Sequence, residues 1–217
     1  MLWGVLQKAE PAMDFPLPND PTSVRPDGLV RLTNALMDRI EQLLRRCRDA
    51  DVTFVPVDPY AVDHAAATLE EANQAWTLGH IIVHLTATAE ESAALAAEQA
   101  RGVSNHGRSR FEVPWETVTT VGQCRARLAE SRRMCLASLQ MWPDQPHLDT
   151  TYIPWEDGPV MGPNERYLLG LQHAVDHLEQ IREVADQALT ARLQKAFVGR
   201  WRNRLRGRQG VAAAPSK

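Results

Sequence analysis

The feature that most constrains this chain is the recurrence of apolar residues at steps of three and four positions, which occurs in four long segments. In the first segment the pattern follows Asp27, a residue type that often caps helices, and we expect this helix to end near Arg48. Its apolar residues share one side of the helix: Leu29, Leu32, Leu36, Ile40, Leu43 and Cys47. Such an amphipathic helix is stable only when that side packs against other elements.

The other three patterns predict further long helices. The second should cover residues 78–99 with Thr77 as its cap, the third residues 117–142, and the fourth residues 163–193 with a proline in its first turn. No segment shows the sustained alternation of apolar and polar residues that is typical of a strand. We therefore predict an all-α fold, a four-helix bundle with two long connections. One short helical turn is expected within the first connection, at residues 65–71.

Composition divides the chain into three parts. Residues 1–26 contain five prolines and are predicted to form an extended arm without regular structure, whereas residues 27–191 form the bundle. A break in the last helix should precede residues 192–217, a tail with eight basic and no acidic residues. Because residues 1–191 hold 16 basic and 27 acidic residues, their net charge is −11. The tail is either a solvated end or a segment that binds an acidic partner.

Simple counts exclude two classes of protein. No apolar run approaches the roughly 20 residues that span a bilayer, so we expect no membrane span. The N-terminal residues lack the apolar core and cleavage site of a signal peptide. Three cysteines without a CxxC pair indicate reduced thiols rather than a disulfide framework: Cys47, Cys124 and Cys135. A cytoplasmic location is the prediction.

Two histidines of the fourth helix could hold a metal ion together. His173 and His177 are four residues apart, so their side chains lie on one side of a helix, with Cβ atoms roughly 5–6 Å apart. That side also carries Leu169 and Ile181, which indicates that the pair faces the bundle or its edge. The competing interpretation is that each histidine is an ordinary packing residue.

A third ligand must come from another helix, and the second helix offers three candidates. His84 lies closest to the apolar arc that contains Leu85 and is the best inward-facing ligand. His80, one turn earlier, is expected to line the entrance or to support a ligand. Glu91, two turns after His84, is a weaker candidate to reach the site.

The same two helices carry motifs that resemble the DinB-like superfamily. Residues 76–85, WTLGHIIVHL, look like its second-helix signature, in which a histidine follows a Trp-Thr or Trp-Ser pair. Residues 173–181, HAVDHLEQI, resemble its fourth-helix motif. The resemblance covers residues 29–189 and implies a four-helix bundle that holds a divalent metal, often zinc or nickel, through three histidines. The arm and the tail lie outside this pattern, and the doubled histidine, His80 and His84, departs from it.

Characterised members of that family include S-transferases that use bacillithiol or mycothiol and a mycothiol-dependent isomerase. The resemblance therefore implies a small-molecule substrate and a low-molecular-weight thiol as cosubstrate. Three neutral imidazoles leave a coordination position open, where a bound water or thiol would lose its proton near neutral pH. The catalytic group is then expected to be metal-bound water or thiolate, and the motif does not distinguish hydrolysis from thiol transfer.

Two other classes of function stay open from the sequence. The protein could bind a metal as a sensor or a stress-associated module without turnover. The basic tail, where Trp201 lies among arginines, could bind nucleic acid weakly and with strong salt dependence. Members of the family often form homodimers, and no feature of this sequence decides that point.

Overall fold

The computed structural model describes residues 15–59, 61, 73–107 and 110–210. The helical turn predicted at residues 65–71 lies outside these ranges, as do the first 14 residues of the arm and the last seven of the tail. Within the described part the fold is all-α, and its β structure is limited to an isolated bridge between Tyr152 and Met161. None of the described helices is long and apolar enough to cross a membrane.

Helix α1 covers Pro26–Leu44. Its N-cap is Arg25 rather than the predicted Asp27, because Pro26 occupies the first helical position, where the missing N–H of proline costs nothing. The chain in front of α1 has more structure than predicted for the arm, since Pro21–Ser23 form a 3₁₀ turn. The side chain of Asn164 donates hydrogen bonds to three carbonyl oxygens around this turn, at 2.9–3.3 Å. Residues 15–25 are therefore attached to the helical body.

Helix α2, Asp49–Val52, is a single turn that the sequence pattern did not predict. Helix α3 covers Leu78–Ala100 and begins as predicted, since the side chain of Thr77 accepts a hydrogen bond from the backbone N–H of His80. Gly79 permits a close contact in this first turn: a Cβ atom there would lie 2.4 Å from the carbonyl oxygen of Val118. The first turn of α3 is thus held tightly against the chain that follows residue 114.

Helix α4 covers Val121–Gln140 and begins later than predicted. Residues Trp115–Thr117 form a separate 3₁₀ turn. Thr120 then caps α4 through a capping box, in which its hydroxyl accepts from the N–H of Gln123 and the Gln123 amide oxygen accepts from the N–H of Thr120. Helical periodicity alone did not separate the turn from the helix.

The predicted fourth helix is divided into two. Helix α5 covers Pro163–Asp176, helix α6 covers Leu178–Gly210, and His177 between them has ψ −7°, outside ideal helical geometry. The break predicted before the basic tail does not occur, because α6 continues through residues 192–210. The interruption instead falls at one of the histidines singled out by the sequence.

The described helices pack around one core. Helix α3 packs against α4, α5 and α6, and helix α1 packs against the same three helices. Within the described residues α1 and α3 do not contact each other directly, so they lie across the core from one another. Helix α5 approaches α3 closely, since a Cβ on Gly170 would lie 2.6 Å from the Cβ of Ser92. This contact brings together the two helices that carry His84 and His173.

Candidate metal centre

Three imidazoles from two helices and from the junction that follows the second of them lie close together. His84 of α3, His173 of α5 and His177 at the junction each offer one ring nitrogen, and these nitrogens lie within 4.8 Å of one another. The Nε2 atoms of His173 and His177 are 3.3 Å apart. Ring centroids are separated by 4.9 Å for His84 and His173 and by 5.3 Å for His84 and His177. The structure therefore brings together the three residues that the sequence singled out.

Burial keeps these histidines in their neutral form. The pKa of His84 is lowered to about 2, first by removal from water and then by the nearby His177 and His173. Burial likewise lowers the pKa of His173 to about 3 and lowers that of His177. A neutral imidazole has a lone pair on one of its two ring nitrogens, and this is the form that binds a metal ion.

The outer nitrogen of His177 has a defined partner. Its Nδ1 lies 2.8 Å from the amide oxygen of Gln180, one turn further along α6. Because an amide oxygen only accepts, Nδ1 carries the proton, and the lone pair on Nε2 accepts from the Nε2–H of His173 at 3.3 Å. That lone pair points toward His173. The ring of His177 is thus held in the tautomer that can bind a cation from inside the cluster.

An extended segment outside the helices supplies the partners of His84, and the sequence analysis did not identify it. The guanidinium of Arg110 donates to the carbonyl oxygen of His84 at 3.1 Å and contacts its Nδ1 at 3.2 Å. Glu112 pairs with Arg110 at 2.7 Å and places a carboxylate oxygen 3.9 Å from the same Nδ1. A guanidinium only donates, so Nδ1 of His84 accepts from Arg110 in this arrangement. For Nε2 of His84 to bind a cation, Nδ1 must instead carry the proton, and the Glu112 carboxylate would have to close from 3.9 Å to accept it.

Aromatic rings form another wall of the site. His80 lies between Trp76 and Trp115, with ring centroids 4.4 Å and 4.8 Å away, in a stack of nearly parallel planes. Trp76 also contacts His84 at 4.6 Å and His177 at 5.8 Å. Accordingly, His80 borders the site through an aromatic stack and is not among the three converging residues.

The remaining candidates lie elsewhere. Glu91 is not part of the converging group, and its charge acts on Arg166 and Tyr152. Cys124 and Cys135 are buried in the core, and burial raises the pKa of each thiol to about 12. Cys47 is half-buried, and its pKa is also raised. All three thiols are therefore protonated at neutral pH and are poor nucleophiles.

The three-histidine group fits a divalent metal ion in both geometry and chemistry. Ligands arranged tetrahedrally at about 2.0–2.1 Å from zinc lie roughly 3.3–3.4 Å from one another. His173 and His177 already have this separation, and a small movement of His84 would bring its nitrogen within it. Neutral imidazole is a preferred donor for zinc, nickel and copper.

Comparison with known proteins agrees with this geometry. The family model described as the DinB superfamily matches residues 29–181, which include all three histidines. The search of curated proteins and the search of solved structures each found no match.

Proposed function

The chain belongs to the DinB superfamily, and from this membership we propose that it binds one divalent metal ion, zinc or nickel, through His84, His173 and His177. The observation that carries the proposal is the convergence of three neutral imidazoles within 4.8 Å. We further propose that residues 27–191 form a four-helix bundle in which α5 and α6 together make one rod. The packing of α1 and α3 on opposite sides of the core supports that architecture.

The protein's own residues would prepare the donors. Gln180 holds the proton of His177 on Nδ1, so that the lone pair stays on Nε2, on the side of His173. Arg110 binds Glu112, the His84 carbonyl and the His84 Nδ1, and Glu112 would have to move closer than its present 3.9 Å to accept an Nδ1 proton when Nε2 binds the metal. The stack formed by Trp76, His80 and Trp115 borders one side of the site. A ring that is held in one tautomer and one orientation loses little entropy when it binds a metal ion.

The reaction class that we propose is metal-dependent thiol S-transfer or hydrolysis on a small substrate. A divalent metal held by three neutral imidazoles supplies Lewis acidity that lowers the pKa of a bound water or thiol and provides a nucleophile at neutral pH. Since all three cysteines are protonated, the thiol of a transfer reaction would come from a low-molecular-weight cosubstrate.

An alternative function is metal binding without turnover, as a sensor or a stress-associated module. One observation favours it: among the described residues, no carboxylate joins the three histidines, and the nearby Glu112 is bound by Arg110. A general base would then have to come from the substrate. In either case the three free cysteines fit a reducing compartment, and we propose a cytoplasmic location.

The test is metal titration of protein that has been stripped with a chelator. Calorimetry with zinc and with nickel should give one site per chain, and His84→Ala should abolish it. His106→Ala is the matched control, because His106 is exposed and paired with Glu98 at 2.6 Å, and it should retain one site. A His84→Ala variant that binds as tightly as the wild type would refute the ligand set. The loaded protein is then assayed with bacillithiol or mycothiol and an electrophile, and absence of turnover would favour the sensor.

A further inference from the structure

The distal part of α6 exposes large apolar side chains to solvent. Leu193, Phe197, Val198 and Trp201 are 58%, 67%, 44% and 57% exposed. Leu193, Phe197 and Trp201 follow one another at steps of four residues, so they line one side of the helix, and Val198 lies at the edge of that side. We call these four residues the apolar stripe. Exposed patches of this kind on otherwise polar helices usually mark a contact surface.

Cations flank the stripe on both sides. With about 100° of rotation per residue, Arg200 falls next to Leu193 and Lys195 falls beyond Val198. Both residues are exposed. The sequence adds further arginines up to residue 208 and no acidic residue after Asp186. Between residues 193 and 201 the helix thus combines an apolar side that contains Trp and Phe with flanking cations and no acidic residue.

The stripe lies beyond the helical body. Arg192 is the last residue of α6 with a described ion pair to the body, to Asp51 at 2.6 Å, and every residue from Leu193 to Trp201 is exposed. Because α6 continues to Gly210, about 27 Å of helix extends past Arg192 at 1.5 Å per residue. That length exceeds the Debye length of about 8 Å at physiological salt, so the negative charge of residues 1–191 is largely screened from the distal end.

We propose that the distal part of α6 binds the surface of an anionic membrane. An amphipathic helix with Trp, Phe and Leu on one side and Lys and Arg around it lies in the membrane interface, with its apolar side among the acyl chains and its cations on the lipid phosphates. Nucleic acid would use the arginines but not Leu193 or Val198. Pairing of two such helices from separate copies would bring two strongly positive segments together. This inference does not rest on the proposed metal chemistry.

The experiment is sedimentation of the full-length chain with vesicles of phosphatidylglycerol and phosphatidylcholine in equal amounts, and with pure phosphatidylcholine. The wild type should bind the anionic vesicles, and Phe197→Ser/Trp201→Ser should lower the partition coefficient at least tenfold. The matched control is Ile153→Ser/Val160→Ser, which removes apolar side chains of similar exposure, 57% and 64%, from a loop. This control should bind within twofold of the wild type.

A second variant tests the cations, and its effect should depend on salt. Lys195→Gln/Arg200→Gln should weaken binding several-fold at low salt and less at high salt. Three results would overturn the proposal: no binding of the wild type to anionic vesicles, equal binding by the stripe variant and its control, or a dimer in solution that the stripe variant dissociates. Circular dichroism should give the same helical content for all variants.

Discussion

Helix α5 takes part in two clusters of buried polar groups, and they differ in how their atoms are satisfied. At Tyr167 the hydroxyl lies 2.8 Å from the Thr33 hydroxyl and 3.4 Å from the carbonyl oxygen of Cys135, while Thr33 also donates to the carbonyl of Leu29. Every donor there has an acceptor within the protein. Six residues later, His173 joins a cluster in which imidazole nitrogens face one another.

The difference separates a stabilising cluster from a binding cluster. Buried hydrogen bonds each contribute about 1 kcal/mol, whereas buried groups without a partner cost free energy. The tyrosine cluster joins α1, α4 and α5, and its hydrogen bonds offset the free-energy cost of burying its polar groups. In the histidine cluster the Nε2 atoms of His173 and His177 share a long hydrogen bond of 3.3 Å, and burial disfavours a further proton by lowering the pKa of each ring. A metal ion would bind their lone pairs better than this long hydrogen bond does. Substitutions in the two clusters should therefore have opposite effects.

The largest expected effect is on metal affinity. His173→Leu removes one of three donors and should weaken zinc binding by roughly three orders of magnitude. In the metal-free protein it should leave the free energy of unfolding unchanged or raise it by about 1 kcal/mol, because a buried, poorly satisfied nitrogen is replaced by an apolar group. Calorimetry measures the zinc affinity, and urea unfolding measures the free energy of unfolding. If metal-free His173→Leu is less stable than the metal-free wild type, the proposed difference between the tyrosine and histidine clusters is wrong.

The metal-free wild type should also be sensitive to acid. Since the pKa values of His84 and His173 are lowered to about 2 and about 3, the unfolded chain binds more protons than the folded chain below pH 6.5. The free energy of unfolding should therefore fall as pH drops from 6.5 toward 3, by about 1.4 kcal/mol per pH unit for each histidine. Urea unfolding between pH 7 and 5 measures this slope. In His173→Leu the slope should be smaller by the contribution of one histidine. Identical slopes would argue against the buried neutral cluster.

Tyr167→Phe should give the opposite pattern to His173→Leu. It removes the hydroxyl that joins Thr33 and Cys135, and we expect a loss of about 1–2 kcal/mol in the free energy of unfolding. Zinc affinity should stay within twofold of the wild type, because Tyr167 is not one of the converging residues. Urea unfolding and calorimetry with zinc measure these two quantities. A large loss of zinc affinity in this variant would mean that the two clusters are not independent.

A smaller effect is expected from the residue that orients His177. Gln180→Leu removes the acceptor of its Nδ1 proton and should weaken zinc binding about tenfold. Gln172→Leu is the matched control, because its amide bonds the exposed Asp176 at 2.7 Å. Zinc titration of both variants measures the effect. Equal affinities would show that Gln180 does not fix the tautomer.

Features set by short-range interactions were predicted from the sequence, and those set by distant contacts were not. The cap at Thr77 and the pairing of His173 with His177 depend on neighbours within one turn, and both were predicted. His84 could be assigned to the same cluster because its helix has one apolar side. Arg110 and Glu112, by contrast, lie in a segment without periodicity, and only the packing of the whole chain brings them to His84. The break at His177 likewise has no glycine or proline to indicate it.

The most direct test of the central claim is X-ray absorption spectroscopy of the zinc-loaded protein. Three imidazoles predict nitrogen or oxygen scatterers at about 2.0–2.1 Å, with the outer-shell pattern of three histidine rings. One ring should be lost from that pattern in His84→Gln. A sulfur scatterer near 2.3 Å, or a pattern with fewer than three rings in the wild type, would contradict the site proposed here.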